Sequence, residues 1–176
     1  MRHVPNILTF FRLCLVPVFP IAFFSDHPQG QLIAMVVFIV AGVTDFLDGF
    51  IARKYNIISK LGMVMDPLAD KLMMLVALFT LWWNDTVPLA LVLILIFKES
   101  FAISVGAYLY FRKGKFVIPS NYFGKVATGI LFIAIPLRIL LPDNMAGLFL
   151  IGVAIVINLV ALYSYSQYYH KKQASE

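Results

Sequence analysis

Residues 45–70 read DFLDGFIARKYNIISKLGMVMDPLAD, and this stretch decides how the chain folds. It joins two predominantly apolar segments, at 31–53 and 60–83, through a short polar break that carries Arg53, Lys54 and Lys60. Each segment is long enough for a helix that spans a bilayer, which takes ~20 mostly apolar residues. Yet Asp45 and Asp48 fall inside the first helix, and Asp66 and Asp70 inside the second. A carboxylate at the bilayer centre costs ~2.5–3.5 kcal/mol even on the most lenient insertion scale. Four of them are tolerable only if they share a site that repays them. The spacings, i and i+3 then i and i+4, put each pair on one helical face. Consecutive antiparallel helices would then bring all four together near the end that carries the break. Gly42, Gly49, Ala52 and Gly62 lie on or beside those faces, where small residues allow close helix approach or admit a bulky ligand.

Working outward, the 176 residues are 61% apolar and 13% charged, with a mean hydropathy of +0.89. Soluble domains carry about 25% charged residues, so an ordinary soluble fold is excluded and an all-α integral membrane protein is expected. Six segments qualify as helices: 7–24, 31–53, 60–83, 87–111, 121–141 and 145–168. The first begins after Arg2 and His3, as a secretory signal does, but Arg12 interrupts its apolar run, Pro17 and Pro20 follow, and no small-residue cleavage site appears. It reads as a retained, partly amphipathic first helix. No repeat or linker divides the chain, so residues 1–176 form a single membrane domain. The single cysteine, Cys14, and three scattered histidines exclude a disulfide framework and a zinc site. No P-loop or Rossmann glycine pattern occurs. The net charge of +5 fits loops against anionic headgroups, with no nucleic-acid partner implied.

The basic residues cluster at Arg2 and Arg12, at Arg53, Lys54 and Lys60, at Arg112, Lys113 and Lys115, and at Lys171 and Lys172. The alternate breaks carry Asp26, Asp85 and Asp143 instead. Positively charged loops stay cytoplasmic, so six transmembrane helices in one bundle are expected, with both termini and the acidic site on the cytoplasmic side. Arg138 falls near the opposite face and reads as an interfacial anchor.

Four converging carboxylates need cations. Arg53, Lys71 or Lys98 would offset part of the charge, whereas two divalent ions would neutralise it. Oxygen ligands select Mg²⁺, Mn²⁺ or Ca²⁺ over softer metals. Such a pair of ions recurs in phosphate chemistry, where it clamps the attacking and leaving oxygens. A structural ion-pair network, or the site of a divalent-cation transporter or channel, are the other readings of the same four residues.

The stretch resembles the signature of the CDP-alcohol phosphotransferase family. That signature is D-x-x-D-G-x-x-A-R, eight further residues (54–61 here), then G-x-x-x-D-x-x-x-D, and every specified position is filled. The resemblance implies a six-helix membrane enzyme in which two divalent cations, Mg²⁺ or Mn²⁺, sit on Asp45, Asp48, Asp66 and Asp70. It makes Asp70 the general base, and Gly49, Ala52 and Arg53 the contacts to the CDP donor. Asn6, Thr9 and Arg12 resemble the family's N-x-x-T-x-x-R element, which helps bind the nucleotide.

The stretches PNILTFFR and MDPLADKL look most like the bacterial members that transfer phosphatidyl from CDP-diacylglycerol to sn-glycerol 3-phosphate. Lys98-Glu99 stands where those members usually show Arg-Glu. The arginine they carry about eight residues later is missing, with Gly106 and Ala107 in that region. Lys98 and Lys125 are the expected contacts to the acceptor phosphate, because loop topology explains them less well than Arg112 and Lys115. Cardiolipin-forming members share closely similar motifs, so a different acceptor is the alternative. The implied setting is a bacterial cytoplasmic membrane, with membrane lipid and, as often in the family, a second copy of the chain as partners.

Overall fold

The sequence leads into helices wherever its apolar runs are long, and the turns between them are built by specific polar and small residues. The computed structural model describes residues 4–55, 62–113 and 122–173, with side chains described over 7–50, 68–101, 104 and 122–162. The described residues form six helices and no strand: α1 (Val4–Phe23), α2 (Gly30–Tyr55), α3 (Gly62–Trp83), α4 (Leu89–Lys113), α5 (Tyr122–Leu140) and α6 (Met145–Gln173). These fall within a few residues of the six expected segments. Among the described residues, three stretches, Gly30–Phe50, Tyr122–Leu140 and Met145–Leu162, are long and apolar enough to cross a membrane.

Each described turn has a local cause. Gly30 starts α2 so close to the end of α1 that a side chain there would meet Ser25 Oγ and the Ala22 carbonyl at 2.6 and 2.7 Å. Between α3 and α4, Thr86 N donates to Leu81 O and Asp85 N to Trp82 O, while Asp85 adopts a φ of 55°. This is a Schellman closure, with an aspartate in the left-handed position that glycine usually takes. The α5–α6 turn places Asn144 as the cap of α6, its Oδ1 accepting from Ala146 N at 2.8 Å.

α1 packs most extensively on α2 and also runs along α3, α5 packs mainly on α6, and α2 also touches α5. Buried alanines at these contacts (Ala34, Ala41, Ala77, Ala134 and Ala154) let the backbones approach closely. Phe38 of α2 fills the centre, edge-on to Phe19 at 6.1 Å and stacked on Phe132 at 5.6 Å. The ring of Phe132 also occupies the space a Cβ on Gly42 would need, so that glycine sets how near α5 lies to α2. Large apolar side chains such as Phe10, Ile21, Phe46, Phe97 and Phe149 face outward, more than water-soluble surfaces carry.

Arg138 differs from expectation. It is buried, and it donates from Nε and Nη2 to Thr86 O at 2.9 and 2.7 Å and from Nη1 to Asn144 O at 2.9 Å. It is therefore a clamp between the α3–α4 and α5–α6 turns, not an interfacial anchor. The cause is that both turns leave carbonyls without intrahelical donors, which a guanidinium satisfies well.

Candidate active site

Asp45 and Asp48 lie one helical turn apart on α2, and what holds them is a residue of α1. Arg12 Nη1 is 2.7 Å from Asp45 Oδ1, and Arg12 Nη2 donates to Asp48 Oδ2 at 2.5 Å. Its Nε completes the set by donating to the carbonyl of Ala41 at 3.3 Å, an oxygen that also accepts from Thr44 Oγ1 at 2.7 Å. Arg12 is 1% exposed and Asp48 3%, whereas Asp45 keeps 39% of its side chain open. The acidic pair thus has a sealed side and an open side. Thr9, one turn before Arg12 on α1, is buried on the same flank.

Asp70, on α3, lines the crevice that Arg12 enters, together with Ala41, Gly42 and Phe132. Its carboxylate feels Asp45 and Glu99 as like charges and Arg12 and Lys71 as opposite ones. The structure therefore brings Arg12, Asp45, Asp48 and Asp70 to one place, from three helices. Gly49 lies immediately after Asp48. The side chains of Asn6, Ala52, Arg53 and Asp66 lie outside the described residues.

A second cluster adjoins the first. Glu99 of α4 is nearly buried and takes two ammonium groups, Lys71 of α3 and Lys98 at 2.5 Å. Lys71 follows Asp70 directly, so the pair ties α4 to the stretch of α3 that carries Asp70. Lys71 and Lys98, two of the cations expected to offset part of the aspartates' charge, are both engaged by Glu99. Lys125, in the first turn of α5, is exposed.

The cation paired with Asp45 and Asp48 is Arg12, a residue for which the family resemblance implies a role at the nucleotide. The available signal was its position, since an arginine inside an apolar run needs a carboxylate partner as much as an aspartate needs a cation. Among the described residues no three carboxylate, imidazole or thiol groups come close enough together to hold a metal ion. The donor chemistry nevertheless fits hard divalent cations: Asp45, Asp48 and Asp70 offer only oxygen, and Asp45 and Asp48 already take one positive charge, that of Arg12.

The sequence model of the family described as CDP-alcohol phosphatidyltransferase matches residues 2–163. The chain belongs to this family. It is 29% identical over 171 residues to a Rickettsia felis protein named CDP-diacylglycerol--glycerol-3-phosphate 3-phosphatidyltransferase, covering 93% of both chains. A Bacillus subtilis protein of the same name is 33% identical over 147 residues, 77% of this chain and 75% of its own. A Streptomyces coelicolor protein named cardiolipin synthase (CMP-forming) is 38% identical over 141 residues, which is 78% of this chain and 65% of that protein. Membership of a transferase family favours an enzyme over the cation transporter or channel considered from sequence.

Proposed function

We propose that the chain transfers phosphatidyl from CDP-diacylglycerol to sn-glycerol 3-phosphate, yielding phosphatidylglycerol phosphate and CMP. The observation that carries this reading is the end-to-end similarity, 93% of both chains, to a relative named for that reaction, joined to a complete aspartate signature. Asp45, Asp48, Asp66 and Asp70 would hold two divalent cations, Mg²⁺ or Mn²⁺, whose charge, when bound, offsets that of the donor's diphosphate. Asp70 accepts the proton of the acceptor hydroxyl; that oxygen forms the new bond to the lipid-linked phosphorus as the bond to CMP breaks. Gly49 and Ala52 leave room for the donor, and Arg53 offers a guanidinium suited to its phosphate oxygens. Asn6, Thr9 and Arg12 would help bind the nucleotide, and Lys98 and Lys125 the acceptor phosphate.

In this reading all six helices of one domain cross a bacterial cytoplasmic membrane, and both termini and the site lie on the cytoplasmic side. The support is charge: the basic breaks flank the ends of α2 and α4 and the starts of α3 and α5. Homodimers are the expected assembly.

A second reading is favoured by one observation, the 38% identity to a cardiolipin synthase. Purified protein given CDP-diacylglycerol and a panel of acceptors decides between them. CMP release with glycerol 3-phosphate supports the first reading, and release with phosphatidylglycerol alone replaces it with the second.

A further inference from the structure

Arg12 occupies the position in the charge map that a cation would take. Its guanidinium bridges Asp45 and Asp48 at 2.7 and 2.5 Å, and it shares a crevice with Asp70, whose charge it also meets. Two carboxylates of α2 thus meet one nitrogen fork contributed by α1, and a third, from α3, lines the crevice that the fork enters. The fork is sealed on the Asp48 side and open on the Asp45 side, where 39% of the side chain is exposed and a hydrated ion can approach.

A carboxylate oxygen paired with a guanidinium nitrogen at such distances is a poorer metal ligand, and a fixed positive charge within 3 Å repels an arriving dication. We propose that Arg12 is an exchangeable internal counterion: it closes Asp45 and Asp48 in the metal-free protein, and a divalent cation binds by displacing it from them. This rests on the reading of those aspartates as metal ligands. The exchange keeps the acidic pair neutralised inside the bilayer before the ion arrives. It lowers the apparent affinity for the ion by the fraction of molecules in which the fork is released.

The test needs no catalysis. Detergent-purified protein is stripped with chelator and titrated with Mn²⁺ alone, free Mn²⁺ being followed by electron paramagnetic resonance, for wild type, Arg12→Gln and Arg12→Lys. Arg12→Gln should bind Mn²⁺ about tenfold more tightly, melt at a lower temperature in chelator, and gain more on adding Mn²⁺. Arg12→Lys should fall between, because one ammonium spans two carboxylates poorly. Equal or weaker binding by Arg12→Gln overturns the exchange and leaves the metal reading standing. Tighter binding by Arg12→Gln with wild-type binding by Arg12→Lys also overturns it, since charge alone would then explain the change. If Arg12→Gln does not fold, Arg12→Lys decides alone: tighter than wild type supports the exchange, equal or weaker sinks it. No Mn²⁺ binding by any of the three removes the metal reading and the exchange with it.

Discussion

Arg138 donates from two of its nitrogens to one carbonyl, that of Thr86, 52 residues earlier in the chain. A third nitrogen reaches Asn144 O, so two turns at the end of the bundle away from the aspartates depend on one side chain. Arg138→Met should cost ~1–3 kcal/mol through the carbonyls left without donors. Thermal melting in detergent should fall, while Mn²⁺ affinity stays at the wild-type value; a loss of metal binding would contradict the separation of the two ends.

Gly42 and Phe132 make a steric pair. Gly42→Ala should destabilise by ~1–3 kcal/mol, the range for overpacking, because the ring lies where the new methyl must go. Adding Phe132→Leu should recover most of the loss, and the two changes should be strongly non-additive in a melting experiment. Simple additivity would show that the ring moves aside freely.

Activity should require Mg²⁺ or Mn²⁺ and collapse on changing Asp45, Asp48 or Asp66 to Asn, which removes an anionic ligand while nearly preserving shape. Asp70→Asn should lose turnover yet keep more metal affinity than the other three. Wild-type turnover in Asp70→Asn, measured by CMP release, would remove its role as base.

For the acceptor, Lys125→Ala should raise the KM for glycerol 3-phosphate by about one to two orders of magnitude, corresponding to the ~1.5–3 kcal/mol of a charge-assisted hydrogen bond. The KM for CDP-diacylglycerol should change little. Lys125 is exposed at the start of α5, so its loss should leave melting unaffected; a parallel rise in both KM values would assign it a general structural role.

Topology is open to labelling. Single cysteines at positions 113 and 85, in a background lacking Cys14, should react from opposite sides of the membrane. Reaction of both from outside would place the acidic site on the wrong face.

The helices were legible because apolar runs and polar breaks alternate so sharply that boundaries fell within a few residues. The relation between Asp45 and Asp48 was legible because i and i+3 share a face whatever the helix packs against. Partners across helices were not. Arg12 announces by its position that it needs a carboxylate, but nothing local says that α1 delivers it to α2. Lys71 and Lys98 could have served the aspartates equally well on paper; which carboxylate receives them depends on where α4 lies, and α4 puts Glu99 between them. The role of Arg138 was not legible for a related reason, since the carbonyls it satisfies come together only once two separate turns have closed.

The bridge from Arg12 to Asp48 spans 36 residues, and that interval has a meaning during synthesis. When α1 leaves the ribosome its guanidinium has no counter-charge, and it acquires one only after α2 has been made nearly to its end. In the six-span reading, the first helix would therefore be poorly suited to enter lipid by itself and well suited to wait beside the insertion machinery for the second. The two would then partition into the bilayer as a hairpin whose charges cancel on arrival. A nascent chain halted before residue 45 should remain extractable from the membrane, and one extended past residue 48 should be retained.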